Sequence, residues 1–290
     1  MRFLFVSALL VYGFSFVITE VVDSFSTCSD FFLNGNPPVI PGILQKSASA
    51  SASASASASA SASVQENNRY KQICQKYQNA YKFATLYDTT NKIPVFSAYR
   101  YTGYYTGDPP PSPWMIESQA FIGDYWAQPK KQAQLDRGQL FPNSHAADEI
   151  TAESTFTLTN TVPQYENFKN KNWIPMEETV RSTMNSHCRD KDNADNILAY
   201  VLTGAVPSPA NLLNERVNIP LNMWTVFCCY NHSTKTWMSQ AHWAENKDSN
   251  ENPINAKKLE KFYADFMQKK YGAGSILFDV DCSEFVNKGK

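Results

Sequence analysis

The sequence has almost no net charge, because 26 lysine and arginine residues oppose 27 aspartate and glutamate residues and leave a formal charge of −1. The overall field of such a chain will not draw a polyanion in from a distance. Any nucleic-acid partner must therefore be held by a local basic patch.

Long hydrophobic runs are missing after the N-terminus. The one run, residues 3–18, follows a positively charged start and is shorter than the roughly 20 residues that span a bilayer. It predicts a signal peptide over residues 1–19 that is removed from the mature protein. No later run is apolar enough to serve as a membrane anchor, so we expect a secreted, extracellular protein. The oligomeric state is not indicated.

Histidine is scarce, with four residues in the whole chain. His187, His232 and His242 have no partner at the spacing of a catalytic or metal-binding pair. The spacing Cys229-x-x-His232 superficially suggests zinc, but adjacent cysteines in an exported chain more often serve two separate disulfides. We therefore do not expect a zinc site.

Six cysteines are an even number, and in an oxidising compartment they predict three disulfides. They are Cys28, Cys74, Cys188, Cys228, Cys229 and Cys282. The sequence alone does not choose among the possible pairings. Asn231-His232-Ser233 has the pattern of a glycosylation acceptor and predicts a glycan on Asn231, with chance occurrence as the alternative.

Composition divides the chain into the signal peptide, a leader (20–46), a Ser-Ala repeat (47–63) and a folded domain (64–290). The leader is apolar but broken by proline and glycine, so we expect an extended strap tied down through Cys28. The Ser-Ala repeat has no bulky apolar side chain to offset the entropy cost of ordering it, which predicts a disordered spacer. Silk-like sheet stacking is the alternative.

The folded part mixes β-rich runs with helical patterns. The runs that predict strands are 83–87, 93–101, 197–204 and 224–230, with a hairpin-like turn at 88–91. The stretches with helical spacing are 70–81, 149–156, 173–188 and 256–271. We therefore predict an α+β fold with a mixed, mostly antiparallel sheet flanked by helices.

Three short motifs follow one another in the middle of the chain. They are Asp136-Arg137-Gly138-Gln139, then Thr159-Asn160-Thr161-Val162-Pro163-Gln164, then Trp173 with Lys169 four residues before it and Glu177 four residues after it. In this order they resemble the secreted DNA/RNA non-specific endonucleases, whose pattern is Asp-Arg-Gly-His, Ser/Thr-Asn-x-x-Pro-Gln, and an Asn and a Glu on either side of a Trp. The leader over residues 31–42 is similar to that of the vertebrate-type endonuclease-domain-containing members. The resemblance implies the ββα-metal nuclease fold.

The resemblance also implies a site in which two reacting groups are replaced. The family's histidine accepts a proton from the attacking water near neutral pH. Gln139 stands in its position, and an amide has no basic lone pair at physiological pH. The family's asparagine holds a single Mg²⁺ through its carbonyl oxygen. Lys169 stands there, and its ammonium donates only, so it would repel a cation but could pair with phosphate.

The remaining motif positions match the family. Arg137 corresponds to a phosphate-contacting arginine, with pairing to Asp136 or Glu177 as the alternative. Glu177 corresponds to a carboxylate that holds metal-bound waters, or pairs with Lys169 or Arg137 where no metal binds. Asn160 corresponds to the turn asparagine, either as a loop organiser or as a weak metal ligand.

Three further residues widen the candidate set. Arg100 follows a predicted strand and could add a phosphate contact, although a surface arginine needs no such role. Asn170 could ligate the metal if the loop beside Lys169 shifts. His145 could serve as a relocated base, but we interpret it as an ordinary loop residue.

We therefore predict a secreted nuclease-family domain that binds the phosphate of nucleic acid or another polyanion. Its candidate catalytic set is Asp136, Arg137, Gln139 and Glu177. We expect Mg²⁺ to bind weakly or not at all, and phosphodiester hydrolysis to be lost or strongly weakened. One alternative is an active Mg²⁺-dependent endonuclease that uses Asn170 for the metal. The other is a structural or immune protein without a nucleic-acid role.

Overall fold

The computed structural model describes residues 20–45, 69–107, 114–115, 134–248, 253–278 and 282. The expected signal peptide (1–19) and Ser-Ala repeat (47–63) lie outside these ranges. The expectations for them, and the boundaries between the four parts of the chain, therefore stay predictions.

One seven-stranded sheet runs through the molecule, and each neighbouring pair of its strands is antiparallel. In spatial order the strands are β1 (Glu20–Val22), β2 (Tyr70–Tyr77), β3 (Ala80–Asp88), β4 (Ile93–Tyr101), β7 (Ala199–Val206), β10 (Asn222–Asn231) and β11 (Thr236–Glu245). Two small antiparallel pairs stand beside it, β5 (Leu135–Gln139) with β6 (Thr161–Tyr165) and β8 (Leu212–Leu213) with β9 (Val217–Asn218). The predicted α+β class with a mostly antiparallel sheet is confirmed.

The α-helices are α1 (Glu149–Ser154), α2 (Glu166–Phe168), α3 (Ile174–His187), α4 (Leu259–Phe262) and α5 (Gln268–Tyr271). A π-helical segment, Lys169–Trp173, joins α2 to α3, and a second one, Tyr263–Met267, joins α4 to α5. Within the described ranges, no helix has both the length and the apolar character needed to cross a bilayer.

The sheet separates two hydrophobic cores. Successive side chains of a strand point to opposite faces, so Tyr99 and Tyr101 of β4 enter the core that α3 covers. Phe96 and Ala98 of the same strand enter the core that the leader and the C-terminal helices cover. The candidate motifs all lie on the side of α3.

Several predicted elements are confirmed. Strands β3, β4, β7 and β10 contain or overlap the four runs expected to be strands. The helix expected over 173–188 is α3, and Met176, Val180 and Met184 form its buried face. The C-terminal helical stretch ends at Gly272, whose φ of +88° is a conformation that favours glycine.

The prediction of a helix over 70–81 is wrong, because residues 70–77 form β2 and the chain then turns into β3. Its central residues are buried on both faces of the sheet: Ile73 lies in the core on the α3 side and Cys74 in the core on the leader side. A strand covered on both faces has no alternation of apolar and polar residues, so its pattern can match a helical period.

The leader is also less extended than expected. Phe25–Phe31 and Leu33–Gly35 form 3₁₀ turns, the first of them begun by the Ser24 hydroxyl, which accepts from the Ser26 amide at 3.2 Å. The leader contributes β1 to the main sheet, and Phe25 is fully buried. The expected attachment through Cys28 is present.

Three disulfides join the six cysteines, in the pairs Cys28–Cys74, Cys188–Cys229 and Cys228–Cys282. The adjacent cysteines of β10 point to opposite faces of the sheet and so tie down one element on each side. Cys229 holds the residue that ends α3, and Cys228 holds the C-terminal tail.

Gly204 on β7 makes room for Trp224 of the neighbouring strand. A Cβ atom at this position would overlap the buried indole ring and lie 2.5 Å from the Val95 carbonyl oxygen. Because the backbone of a central strand cannot move aside, glycine is required here.

We expect Gly204→Ala to lower the free energy of unfolding by about 2–4 kcal/mol, because it overpacks a fully buried site. Urea denaturation followed by tryptophan fluorescence measures this. Thr236→Ala, at the exposed start of β11, is the control and should change stability by less than about 0.5 kcal/mol. An unchanged midpoint for Gly204→Ala would show that the indole can move.

Candidate active site

The first motif lies on β5, which is paired along its length with β6. Asp136 stands opposite Gln164, and Gly138 stands opposite Val162. A Cβ atom on Gly138 would overlap the buried Gln164 side chain, so the glycine of the first motif and the glutamine of the second fit each other. These two positions shape the backbone of the site.

Asn160 is fully buried beneath this strand pair. Its Oδ1 accepts hydrogen bonds from the Ser97 hydroxyl (2.9 Å) and the Phe141 amide (2.9 Å). Its Nδ2 donates to the carbonyl oxygens of Phe141 (3.0 Å) and Thr155 (3.0 Å). The amide has both acceptor and both donor positions in use. This is the geometry of a loop organiser, and it presents no oxygen to a cation.

Lys169 begins the π-helical segment, and its ammonium is turned onto β5. Nζ donates to Asp136 Oδ2 at 2.7 Å and to the Arg137 carbonyl oxygen at 2.9 Å. The two side chains are 21% and 46% exposed, so this ion pair lies at the surface. It contributes about 1 kcal/mol or less to stability, and its main effect is to place a positive charge between two oxygen atoms.

Glu177 lies one turn after Trp173 on the same helix. Burial raises the pKa of the Glu177 carboxyl to about 8, although the Trp173 indole and the Lys169 ammonium both lower it. Without a cation beside it, this carboxyl is mainly protonated at neutral pH, and a cation bound there would lower its pKa again.

Both the nitrogen and the oxygen of the Gln139 side-chain amide form hydrogen bonds within the protein. Nε2 donates to the Thr155 hydroxyl at 2.9 Å, and Oε1 accepts from the Asn143 amide at 3.4 Å. The side chain thereby joins β5 to the end of α1 and to the 3₁₀ turn Asn143–His145. It has no group that can take up a proton at neutral pH.

Arg137 lies over an aromatic ring on the other side of Gln139. Its guanidinium carbon is 5.0 Å from the centre of the Trp114 ring, which in turn meets Phe156 edge to face at 5.4 Å. At this distance the guanidinium is attracted to the ring by a cation–π interaction.

His145 is an interior residue. Its Nε2 must donate to the Glu177 carbonyl oxygen (3.0 Å), because a carbonyl only accepts, and its Nδ1 then accepts from the Tyr99 hydroxyl (2.9 Å). Burial lowers the pKa of His145 to about 4. The imidazole is neutral, 3% exposed and bonded at both nitrogens, which matches its interpretation as an ordinary residue of the turn.

Two expected residues are not brought to this place. Arg100 follows Tyr99 on β4 and pairs with Tyr200, so its side chain points to the opposite face of the sheet from α3. The placement of Arg100 corrects the expectation that it joins a phosphate site with Arg137. Asn170 is exposed on the π-helical segment, about 100° around a helix from Lys169.

Arg181 is a residue that sequence reasoning missed. It lies four positions after Glu177 on α3, and its Nη1 donates to the Ser144 carbonyl oxygen at 3.4 Å. Its guanidinium carbon is 4.7 Å from the centre of the Tyr104 ring. The sequence spacing already indicated that Arg181 lies on the same face of the helix as Glu177, because residues four apart on a helix share a face.

The residues present at this place do not fit a magnesium ion. Mg²⁺ needs oxygen ligands in near-octahedral geometry. Asn160 has its oxygen in use, the Asp136 carboxylate already binds an ammonium, and that ammonium of Lys169 would repel a cation. Nor does any group of three or more His, Cys, Asp and Glu residues elsewhere in the described ranges approach metal-binding geometry.

The zinc pattern is explained by other contacts. Cys228 and Cys229 each form a disulfide, and His232 Nε2 donates to the Asp190 carbonyl oxygen at 2.7 Å. Asn231 begins the turn between β10 and β11, where its side chain accepts from the Ser233 amide at 2.9 Å. This hairpin tip is reachable by a modifying enzyme, and glycosylation of Asn231 stays a prediction.

Comparison with known proteins supports one family. A family model described as DNA/RNA non-specific endonuclease matches residues 61–274. The curated relative "Endonuclease domain-containing 1 protein" of Homo sapiens is 28% identical over 242 residues, which is 73% of this chain and 41% of that protein. Its counterpart in Mus musculus is 28% identical over 234 residues, 71% of this chain and 39% of that protein. The chain thus spans about two fifths of the curated relatives it matches.

A solved structure shows the same fold. It is described as "Crystal structure of the EndoG/EndoGI complex: Mechanism of EndoG inhibition", and the match has a TM-score of 0.50 at 17% identity. It covers 66% of this chain and 81% of that chain. The sequence-based expectation of a ββα-metal nuclease fold is confirmed.

We expect Asn160→Ala to lower the free energy of unfolding by about 3 kcal/mol or more, because it leaves buried partners without hydrogen bonds. Thermal unfolding measures the effect. Asn143→Ala, on the neighbouring turn and less buried, is the control and should cost much less. A small loss for Asn160→Ala would contradict the organising role.

The carboxyl of Glu177 predicts a stability that depends on pH. Because its folded-state pKa is raised from 4.5 to about 8, the unfolded chain ionises first and stability falls as pH rises between these values. Glu177→Gln should therefore match the parent near pH 4 and exceed it by about 2–4 kcal/mol near pH 9. Denaturation midpoints across pH measure this, with the exposed Glu215→Gln as control. Parallel curves for Glu177→Gln and the parent would contradict the shifted pKa.

Proposed function

The chain belongs to the DNA/RNA non-specific endonuclease family, and from that premise we propose that it binds nucleic-acid phosphate but cleaves the phosphodiester bond weakly or not at all. The observation that carries this proposal is the position of the Lys169 ammonium. It is bonded to Asp136 and to the Arg137 carbonyl where the family pattern has a metal-ligating asparagine.

A fixed positive charge at this place supports phosphate binding. An ammonium attracts a phosphate oxygen without any metal. Arg137 and Arg181 add two guanidinium groups, each held over an aromatic ring. The negative charge of Asp136 is offset by Lys169, and Glu177 is mainly neutral at pH 7. Lys169, Arg137 and Arg181 therefore supply three cationic groups here, although the whole chain is nearly neutral.

Hydrolysis lacks its proton acceptor. In the family a histidine takes a proton from the attacking water, and losing such a base removes about 10²–10⁴ in rate. Gln139 holds Thr155 and Asn143 in place but cannot accept that proton. His145 does not replace it, because both its ring nitrogens are bonded inside the protein.

The rival reading is an active metal-dependent nuclease that uses Asn170. The exposed side chain of Asn170 would have to turn toward the Lys169 position, where an ammonium would repel the cation. The geometry therefore weighs against an active nuclease. That alternative predicts Mg²⁺-stimulated cleavage of plasmid DNA by the parent chain.

Export from the cell is part of the proposal. Three disulfides are typical of proteins that fold in an oxidising compartment. The acceptor Asn231 on a hairpin tip supports the same assignment. A glycosidase-sensitive mass on the protein secreted from cultured cells would test it.

Restoring the two missing groups should restore cleavage. We expect the purified parent chain to nick supercoiled plasmid DNA no faster with Mg²⁺ than with EDTA. Gln139→His with Lys169→Asn should gain Mg²⁺-dependent nicking and bind Mg²⁺ more tightly in calorimetry, because imidazole accepts a proton and the amide oxygen can ligate.

A matched control tests whether the gain in cleavage depends on position 169. Gln139→His with Lys171→Asn carries the same chemical changes but leaves the Lys169 ammonium in place, and it should stay inactive. Strong metal-stimulated nicking by the parent would overturn the proposed loss of hydrolysis. An inert double variant beside an active parent would also refute the assignment of these positions.

A further inference from the structure

Two pairs of residues each place a guanidinium group over an aromatic ring. A path of contacts and chain neighbours leads from one pair to the other. Starting from the exposed ring of Tyr104, the path runs through Arg181 to the Ser144 carbonyl and along the turn to Asn143. The Asn143 amide donates to Gln139. Two residues back along β5, Arg137 lies over Trp114. Consecutive members of this path touch or are neighbours in the chain, except Gln139 and Arg137, which are two residues apart and therefore lie on the same face of β5.

The backbone around the path is held in place. The Tyr105 amide donates to the Ala146 carbonyl oxygen at 2.7 Å, which fixes Tyr104 against the same turn that Arg181 contacts. The Met115 amide donates to the Phe156 carbonyl oxygen at 2.8 Å, which fixes Trp114 beside the end of α1. Both aromatic rings are therefore placed by strand-like backbone contacts.

We propose that this strip, comprising Tyr104, Arg181, Gln139, Arg137 and Trp114, is a docking surface for single-stranded nucleic acid, whose bases stack on the two terminal pairs. The inference rests on the phosphate recognition proposed above. It adds a preference for unpaired bases that phosphate contacts alone do not give.

The chemistry of the two pairs favours unpaired bases over other polyanions. Bases splayed out from a single strand stack on aromatic rings and on the planes of arginine side chains. A duplex keeps its bases stacked inside and offers only its backbone and groove edges. A sulfated polysaccharide has charge but no aromatic face.

Exposure and charge agree with this role. Tyr104 is 41% exposed, so part of its ring is accessible to a ligand. The Lys169 ammonium lies beside Arg137, bonded to its carbonyl oxygen, and can meet the phosphates of a strand whose bases lie on the strip.

The test compares four labelled probes on the full chain by fluorescence anisotropy, at several salt concentrations and without divalent metal. The probes are a mixed-sequence single strand of about twelve nucleotides, the same sequence as a duplex, a single strand of equal length with abasic sites throughout, and heparin of similar charge. We expect the intact single strand to bind at least about tenfold more tightly than the other three.

Variants assign the preference to the strip. Tyr104→Ala should weaken binding of the intact single strand by about tenfold and leave binding of the abasic strand unchanged, because it removes a stacking face and no charge. Tyr104→Phe should retain the parent's preference. Arg137→Lys keeps the charge but loses the planar group, so it should reduce the preference in the same way. Thermal unfolding of each variant checks that it is folded.

The outcomes separate the two proposals. Lys169→Gln should weaken binding of intact and abasic strands alike, and Lys191→Gln, which removes a cation over Trp237 on another part of the surface, should change neither. If the duplex, the abasic strand or heparin binds as tightly as the intact strand, or if Tyr104→Ala has no effect, the strip proposal fails while phosphate binding stands. If no probe binds in a salt-dependent way, phosphate recognition itself fails.

Discussion

The buried amide of Asn160 is the interaction on which the geometry of the site depends. Its four hydrogen bonds reach the central strand β4 through Ser97, the chain after β5 through Phe141, and the end of α1 through Thr155. Three separate stretches of backbone are thereby fixed relative to one another by one side chain. An unmade hydrogen bond in such a place costs about 1–3 kcal/mol, so the four together outweigh any single contact at the surface of the site.

The residues that hold the fold differ from Lys169 and Asp136, which are part of the candidate site. Gly138, Gln164 and Trp173 are buried and shape the backbone. Lys169 and Asp136 are partly exposed, and their ion pair adds little to stability. The reactive positions can therefore change while the scaffold persists. An amide at 139 and an ammonium at 169 are compatible with the same strand pair and the same helix.

Much of the fold could be predicted from the sequence, for physical reasons that differ between elements. The helix α3 was found because Met176, Val180 and Met184 repeat on one face. Strand β2 was misread because it is covered on both sides, so it lacks the alternation that marks a half-buried strand. The cysteine pairing could not be predicted, because it depends on which face of β10 each of the two adjacent cysteines takes. Their adjacency implies that they lie on opposite faces, but not which cysteine lies on which face.

The candidate site was predicted in part. Motif order placed Asp136, Arg137, Lys169 and Glu177 in one region, but burial is a tertiary property that spacing does not encode. Burial keeps His145 neutral in the interior and raises the pKa of Glu177 to about 8. The side of the sheet that Arg100 takes could not be predicted, because strand register is not encoded in spacing and a shift of one residue along a strand moves a side chain to the other face.

A shared scaffold explains why family membership and activity must be argued separately. The family model matches residues 61–274, and within that range Gly138, Asn160, Pro163 and Gln164 are buried and serve the packing of the fold, whether or not the chain hydrolyses anything. In the family, activity depends on a proton acceptor and on an oxygen that can meet a cation, and these correspond to positions 139 and 169, which are partly buried in this chain. In this chain the same two positions carry a bonded glutamine and an ammonium, and the proposed phosphate binding depends on the ammonium, which can attract an anion without a metal.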